Sequence, residues 1–315
     1  MPRRNAVSAS RSPELALPRT FDAGYGQQVD RGLSLGGGGL FFVAWQVAYL
    51  QTLAGLGLRF DGADRIVGTS AGSMVASALA GGRLKLLHSQ ITLLARLPAL
   101  VSALAPASVL KPSQQRALDL FLKATDGEPA TVQAIGHAAL GAATPRAESM
   151  RRNVSFVLGP GRLTSEALQI TCVDTYTGER RVVTRDTKVT LARAVAASSA
   201  VPGLFAPQPI GDRLCMDGGV SGTGSHLDLL GGSKRVLVLA LTDGADLDEG
   251  MMTANPDDGR REVEDLEGSG TSVMLRTPKE VDLMDLMSPS AVPRAVAMGT
   301  RQATDDLKLL TTFWG

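Results

Sequence analysis

Cysteine and histidine are both scarce in this chain, which has two cysteines and three histidines among 315 residues. Cys172 and Cys215 cannot define a disulfide framework. Both fall in predicted strand segments, so we expect reduced, buried thiols. No pair of cysteines or histidines has the spacing of metal ligands, and we predict no metal site.

Neither sign of charge is in excess, since 32 lysines and arginines face 31 aspartates and glutamates. The net charge of +1 argues against general electrostatic attraction to nucleic acid or anionic lipid, so no nucleic-acid partner is predicted. Aromatic residues make up only 4% of the chain, whereas 44% of its residues are hydrophobic, which is ample for a buried core. Length alone allows one large or two ordinary domains.

An uninterrupted apolar span of membrane length is also missing. The most apolar run covers residues 40–58, but Gln46 and Gln51 interrupt it and Gly55 and Gly57 break its end. We interpret this run as a buried helix of an α/β core rather than as a membrane segment.

The N-terminal segment 1–31 is polar and mixed, with prolines at positions 2, 13 and 18. It contains the pair Arg3 and Arg4, as a twin-arginine signal does, but no apolar stretch follows the pair. We therefore expect a disordered leader and a cytoplasmic protein.

The box Gly68-Thr69-Ser70-Ala71-Gly72 has the pattern G-x-S-x-G. A short apolar strand pattern at 66–67 comes before it, and a small-residue helical pattern at 74–80 follows. This context favours a nucleophile elbow, in which a serine sits on a sharp strand-to-helix turn between small neighbours. The following helix directs its N-terminal N–H groups towards a developing oxyanion. An ordinary tight turn is the alternative.

Two further blocks accompany this box. Four consecutive glycines at 36–39 stand before the apolar run. Downstream, residues 194–207 read A-V-A-A-S-S-A-V-P-G-L-F-A-P, and M-D-G-G-V follows with Asp217 as its acid. In this order and spacing the three blocks, which together span about residues 32–241, resemble the patatin-like phospholipases and acyl hydrolases.

The resemblance implies a function and a set of site residues. Ser70 would be the nucleophile and Asp217 its only catalytic partner, with no histidine between them. Backbone N–H groups of the glycine loop would hold the oxyanion, and one such donor supplies about 3–4 kcal/mol in other enzymes. The donors would be Gly37, Gly38 and Gly39, with Gly218 and Gly219 after the acid allowing close backbone approach. The implied substrates are lipid or fatty-acyl esters, no cofactor is implied, and any contact with a membrane would be peripheral.

One departure from the family pattern lies just after the glycine run. Many members carry a basic residue and then a glycine there, whereas this chain has Phe41 and Phe42. Two interpretations are open: Phe42 crowds the oxyanion pocket, or the rings contribute to the wall of an acyl pocket.

Strand-like and helix-like stretches alternate along the chain. This alternation predicts an α/β fold, a three-layer αβα sandwich around a mostly parallel sheet, formed by one domain over 32–315. The strands are predicted at 33–35, 66–67, 167–173, 181–184, 236–241 and 272–275. The helices are predicted at 43–54, 73–80, 84–97, 114–123, 191–197 and 293–309.

Two segments are set apart by composition. Residues 84–150 begin with a wide apolar stripe, interpreted as helices packed on the core or, alternatively, as a helical cap over the site. Residues 243–271 are strongly acidic and are interpreted as a solvated loop, because the spacing of a calcium-binding EF-hand is absent.

Three functions other than hydrolysis by a Ser–Asp dyad are compatible with parts of the sequence. A triad of Ser70, Asp217 and His226 fits the chain order of an α/β-hydrolase, but His226 lies close after the acid and is interpreted as a surface or capping residue. Nucleotide binding is disfavoured, because the glycine run matches neither G-x-G-x-x-G nor a P-loop. A catalytically silent relative that binds lipid as a scaffold is the remaining alternative.

Overall fold

A computed structural model describes residues 29–96, 109–243, 252–282 and 285–315. Most of the predicted leader therefore lies outside the described residues. The same holds for 97–108 of the predicted cap and for 244–251 of the acidic segment.

Within these described ranges, eight strands form one sheet, and its centre is parallel. The strand order is β5-β6-β3-β2-β1-β7-β8, and β4 pairs with β3 off this path. Neighbours from β3 to β8 along this order pair in parallel, whereas β4, β5 and β6 add antiparallel pairs at one end. The strands are β1 (Val29–Leu35), β2 (Arg65–Thr69), β3 (Leu168–Asp174), β4 (Arg180–Val183), β5 (Gln208–Ile210), β6 (Arg213–Asp217), β7 (Ser233–Leu239) and β8 (Ser272–Arg276).

Both faces of the sheet are buried, as expected for parallel strands with helices on either side. Successive side chains point to opposite faces, so Ile66 packs in the largest core cluster while Val67 packs in a second cluster across the sheet. Leu237 and Val238 on β7 divide in the same way.

Helices cover the two faces. The larger layer contains α1, α2, α3, α7 and α9, and the opposite face carries α8 and a short 3₁₀ turn, Leu227–Leu230. The predicted three-layer α/β fold is confirmed. The helices within the described residues are α1 (Gly39–Gly55), α2 (Ala71–Ala80), α3 (Leu84–Ala95), α4 (Pro112–Leu122), α5 (Pro129–Gly141), α6 (Ala147–Leu158), α7 (Leu191–Ser198), α8 (Asp258–Gly268) and α9 (Val292–Trp314).

The predicted strands and helices are all present, with different ends, whereas the β5–β6 hairpin and helices α6 and α8 are not among the predicted elements. Strands β5 and β6 form a hairpin whose two-residue turn is Gly211-Asp212, a known hairpin signal. The acidic segment is not a loop throughout, because α8 forms within it. Arg260 contacts Asp257 and Glu264 at helical spacing, and Leu266 is buried.

The thiols of Cys172 and Cys215 are free and fully buried, as predicted. They lie on the adjacent strands β3 and β6. A hydrogen bond with Cys215 and, after it, burial raise the pKa of the Cys172 thiol, so it stays protonated at neutral pH.

Helix α1 is buried along most of its length, which confirms the interpretation of the apolar run. Its Trp45 donates a hydrogen bond from Nε1 to Gln302 Oε1 of α9 at 2.8 Å. The two helices approach closely at Gly299, where a Cβ atom would lie 2.5 Å from the Trp45 carbonyl oxygen. Only glycine fits this crossing without displacing backbone.

We expect Gly299→Ala to lower the free energy of unfolding by about 1–3 kcal/mol, because the added methyl group overpacks the α1–α9 contact. Urea unfolding followed by circular dichroism measures the change. Gly55→Ala is the matched control, since it is also helical and a Cβ there meets no atom within 4 Å. It should be neutral or stabilising by up to about 1 kcal/mol. Equal stability of the two variants would contradict the close helix crossing.

Candidate active site

The site forms where two neighbouring parallel strands end. Strand β1 pairs with β2 so that Leu35 is level with Gly68. The glycine loop leaves β1 and Ser70 follows β2, so both emerge at the same carboxyl edge of the sheet, where α/β proteins bind their ligands.

Ser70 occupies a strained backbone conformation at the turn from β2 into α2, with φ 51° and ψ −119°. Three other serines stabilise this conformation by hydrogen bonds. The Ser70 N–H donates to Ser198 Oγ at 2.8 Å. The Ser70 carbonyl accepts from Ser73 Oγ at 2.6 Å and from Ser199 Oγ at 3.2 Å. Such a conformation persists only where the surroundings determine it, and this is the backbone shape of a nucleophile elbow.

Both glycines of the box are required by packing. A Cβ at Gly72 would lie 1.8 Å from the Leu35 carbonyl oxygen, and one at Gly68 would lie 2.8 Å from the Ser73 Cα. The box therefore brings α2 directly against the end of β1.

Asp217 faces Ser70 because β6 pairs only with the carboxyl-terminal end of β3, residues 172–174. In that register Asp217 is level with Cys172, one residue beyond Thr171, which pairs with Thr69. Ser70 Oγ donates to Asp217 Oδ2 at 2.6 Å, and the Gly219 N–H donates to Oδ1 at 2.8 Å. Both carboxylate oxygens are thus held in place.

Burial favours the protonated, neutral form of Asp217, which is 3% exposed. Loss of solvation raises the pKa of Asp217 to about 7, and the hydrogen bonds from Ser70 and Gly219 offset part of this effect. A carboxyl group with this pKa exchanges a proton near neutral pH.

The glycine loop lies against Ser70. A Cβ at Gly37 would lie 3.3 Å from Ser70 Cβ, and Gly39 has a left-handed φ of 63°. The carbonyl of Gly36 accepts hydrogen bonds from Gly72 N at 3.1 Å and from the buried Gln46 Nε2 at 3.0 Å. Within the described part of the chain, the N–H groups of residues 37–39 donate no hydrogen bond.

A cavity of about 830 Å³ opens over Ser70, Asp217 and the four glycines of the loop. Most of its wall is apolar, and the wall includes residues from α4, within the segment interpreted as a cap or insertion. The apolar lining consists of Leu118, Phe121, Leu122, Val201, Leu204, Leu227, Val238, Ala240, Leu241, Met252, Ala254, Val263, Leu275, Leu286, Met287 and Pro289.

Phe41 and Phe42 correct one expectation, because neither ring lines this cavity. Both side chains are buried in the main core, where Phe42 stacks on Trp45 with ring centroids 5.4 Å apart. The first turn of α1 directs the rings into the helix layer, and Phe42 packs against the glycine loop, where a Cβ on Gly38 would lie 2.6 Å from the Phe42 Cβ. Neither ring forms part of the cavity wall.

His226 is not a surface residue, because it is 4% exposed. It occupies the N-cap position of the 3₁₀ turn Leu227–Leu230, as the capping interpretation expected, but its ring makes no capping hydrogen bond. Its Nε2 lies 3.1 Å from the Gly218 carbonyl oxygen and its Nδ1 lies 3.2 Å from Arg180 Nη1. Both ring nitrogens are engaged away from Ser70, so the alternative triad is not formed. His88 and His137 lie on α3 and α5.

Several residues of the site were not predicted individually. Ser198 and Ser199 belong to the block 194–207, in which the two adjacent serines are the only sequence feature that marks them. Gln46 stood out in the sequence only as a polar interruption of an apolar run. Its contact with Gly36 was not visible there, because it depends on how α1 folds back over the loop.

Fold and site together define an α/β protein with a serine elbow beneath an apolar cavity. The family model described as patatin-like phospholipase matches residues 33–224, which is more than half of the chain. The chain belongs to the patatin-like phospholipase family, as the resemblance in sequence predicted. Family membership supports hydrolysis of lipid esters as the general class of activity.

Solved structures give distant matches. VipD from Legionella pneumophila is 15% identical over 90% of this chain and 67% of its own, with a TM-score of 0.40. The type III effector protein ExoU is 15% identical over 88% of this chain, with a TM-score of 0.33. The match spans about half of ExoU, 53% of its chain. A comparison with curated proteins finds no significant match.

None of the helices in the described ranges is both long enough and apolar enough to span a bilayer.

We expect Asp217→Asn to raise the stability of the folded protein on the order of 2 kcal/mol at pH 8. The pKa of Asp217 is raised from 3.8 to about 7, so folding is disfavoured by its ionisation. The contribution of the protonated acid to stability is complete below pH 3.8 and is lost as pH rises through 7.

The measurement is the difference in unfolding free energy between the variant and wild type at several pH values. The difference should grow between pH 4 and pH 7 and then level off. The exposed Asp186→Asn is the control and should show no such trend. A pH-independent difference for Asp217→Asn would contradict the buried, proton-binding carboxyl group.

Proposed function

We propose that this protein hydrolyses carboxylic esters of lipids with a Ser70–Asp217 dyad. The observation that carries the proposal is the 2.6 Å hydrogen bond from Ser70 Oγ to Asp217 Oδ2, at a strained elbow that opens into an apolar cavity. Nucleophile and base are within direct reach, as covalent catalysis requires.

Acyl transfer to the enzyme proceeds in one addition and one elimination. Ser70 Oγ bonds to the ester carbonyl carbon while its proton passes to Asp217 Oδ2, and the carbonyl π electrons move onto the oxygen. The N–H groups of Gly37, Gly38 and Gly39 are the proposed donors to that oxyanion. Collapse of the intermediate breaks the ester C–O bond, and the leaving alkoxide takes the proton from Asp217.

Deacylation repeats these steps with water. Asp217 removes a proton from water as its oxygen bonds to the acyl carbon. When the second intermediate collapses, the bond to Ser70 Oγ breaks and Oγ regains the proton from Asp217. The products are the free fatty acid and the unmodified enzyme.

The substrate is proposed to be a phospholipid or lysophospholipid, cleaved as by a phospholipase A or lysophospholipase. A largely apolar cavity of about 830 Å³ suits an acyl chain, because burying each methylene group contributes about 0.8 kcal/mol. The domain that does this is proposed to extend over residues 32–315.

Peripheral contact with a membrane surface is part of the proposal. Leu120 and Leu122 on α4 are 43% and 44% exposed, and Leu122 also lines the cavity. Exposed leucines beside the cavity would place its mouth against lipid. A cytoplasmic location is proposed as well, because both thiols are free.

Ser70→Ala and Asp217→Asn should each lower kcat for p-nitrophenyl esters by a factor of about 10³ or more, because they remove the nucleophile and its base. Short- and long-chain esters are compared to measure the preference of the cavity. Ser89→Ala and Asp186→Asn change exposed residues of the same types and should retain wild-type rates. Retained activity in Ser70→Ala would refute the proposed nucleophile.

The pH dependence of kcat/KM should show an acid limb near pH 7. Asp217 accepts a proton only when ionised, and burial raises its pKa to about 7. Below that pH the rate should therefore fall about tenfold per unit, with a plateau above it. Release of p-nitrophenol is followed at its isosbestic wavelength, and a profile that is flat down to pH 5 would exclude Asp217 as the base.

Leu120→Glu should weaken binding to phosphatidylcholine vesicles about tenfold, because a charged side chain replaces an apolar one at the proposed contact. Leu120 does not line the cavity, so hydrolysis of a soluble short-chain ester should be unchanged. Vesicle sedimentation and ester hydrolysis are measured together. Leu309→Glu on α9 is the control, since Leu309 is 50% exposed on another element; equal losses would refute a specific contact at α4.

A further inference from the structure

The Gly218–Gly219 peptide unit links Asp217 to a buried side chain behind it. A peptide bond is planar, so the Gly218 carbonyl and the Gly219 N–H turn together. The N–H end donates to Asp217 Oδ1 at 2.8 Å. The carbonyl end accepts from His226 Nε2 at 3.1 Å. A contact that fixes the Gly218 carbonyl therefore also fixes the Gly219 N–H, which orients the Asp217 carboxylate.

We infer that His226 is a positioning residue for the Ser70–Asp217 dyad, acting through this peptide unit. The inference rests on the proposed function, because a positioning role has meaning only if the dyad reacts. Glycine on both sides leaves the plane free to rotate, so an external hydrogen bond is needed to hold it. Ser221 offers weaker donors to the same carbonyl, with N at 3.5 Å and Oγ at 3.3 Å.

The contacts of His226 define its tautomer. Arg180 has only donors, so its Nη1 donates to His226 Nδ1 at 3.2 Å. The ring proton of the neutral form must then reside on Nε2, where it donates to the Gly218 carbonyl. Burial lowers the pKa of His226 to about 3, with a further contribution from Arg180, so the ring is neutral at working pH.

A rigid frame holds the imidazole in this orientation. Arg180 forms a two-pronged ion pair with Asp228 at 2.7 and 2.5 Å, which keeps its guanidinium beside Nδ1. From α8, Glu262 accepts hydrogen bonds from Thr223 Oγ1 at 2.8 Å and from Leu227 N at 3.4 Å. These contacts hold the chain on both sides of His226.

The charged groups that act on His226 are Arg180 of β4 and Asp228 of the 3₁₀ turn, and Glu262 of α8 interacts with both of them. Burial raises the pKa of Glu262 to about 7, in the same range as that of Asp217. A pH profile of any His226 variant must therefore be read beside that of Glu262→Gln, which removes this second titration.

The test compares His226→Phe with His226→Gln. Phenylalanine keeps a ring of similar size and removes both hydrogen bonds, whereas the glutamine amide can supply an N–H close to the Nε2 position. We expect His226→Phe to lower kcat about tenfold with KM within twofold of wild type. We expect His226→Gln to recover most of the rate.

The pH profile separates positioning from simple loss of stability. The Gly219 hydrogen bond lowers the pKa of Asp217, so its loss in His226→Phe should move the acid limb of kcat/KM to higher pH. The limb should stay in place in His226→Gln and in the control His137→Gln, whose residue is exposed on α5. Rates are expressed per active site, titrated by the burst of p-nitrophenol.

Wild-type kcat per titrated site and an unmoved acid limb in His226→Phe would overturn the inference, even if that variant melts at lower temperature. If His226→Phe does not fold, His226→Asn replaces it, because asparagine suits the left-handed φ of 50° and lacks a donor at the Nε2 position.

If wild type hydrolyses no ester, the proposed function fails on its own, and ¹⁵N spectra of labelled histidine test the contact. A neutral ring with its proton on Nδ1 would overturn the inference, and one with its proton on Nε2 would support the contact.

Discussion

The hydrogen bond between Ser70 and Asp217 joins residues 147 positions apart, and the rest of the site is arranged around it. Two strand pairings bring the two side chains together: β2 pairs with β3, and the carboxyl-terminal end of β3 pairs with β6. Together these pairings bring the end of the antiparallel strand β6, which carries Asp217, level with the end of the parallel strand β2, which Ser70 follows. The glycine loop, the hydrogen bonds of Ser70 with other serines and the cavity wall then act on a pair of side chains whose spacing the sheet has already set.

The same burial that gives Asp217 its proposed reactivity acts against folding. A desolvated carboxyl group with a pKa near 7 is suited to exchange protons at neutral pH, but its ionised form lowers stability. The strained φ of Ser70 adds a further cost. The large helix layer centred on α1 and α9 offsets both, so the residues that favour reactivity and those that favour stability lie in different parts of the molecule.

Local patterns made most of the fold and part of the site predictable. The Ser70 box is a contiguous run, and its glycines are required by close contacts with one strand and one helix. The strand-to-helix turn at Ser70 could therefore be predicted from the sequence directly. The placement of Phe41, Phe42 and His226 could not be read in this way. The rotation of α1 about its axis decides where the two rings point, and the partners of His226 come from β4 and from the turn after Asp217.

By itself, the sequence determined the alternation of strands and helices, the elbow at Ser70 and the family, because period, glycine spacing and motif order are properties of short stretches. Only the tertiary structure decided that Asp217 faces Ser70, that Gln46 holds the glycine loop and that His226 is buried behind Gly218. Each of these contacts joins elements whose relative position depends on sheet order and helix packing, which no local pattern encodes.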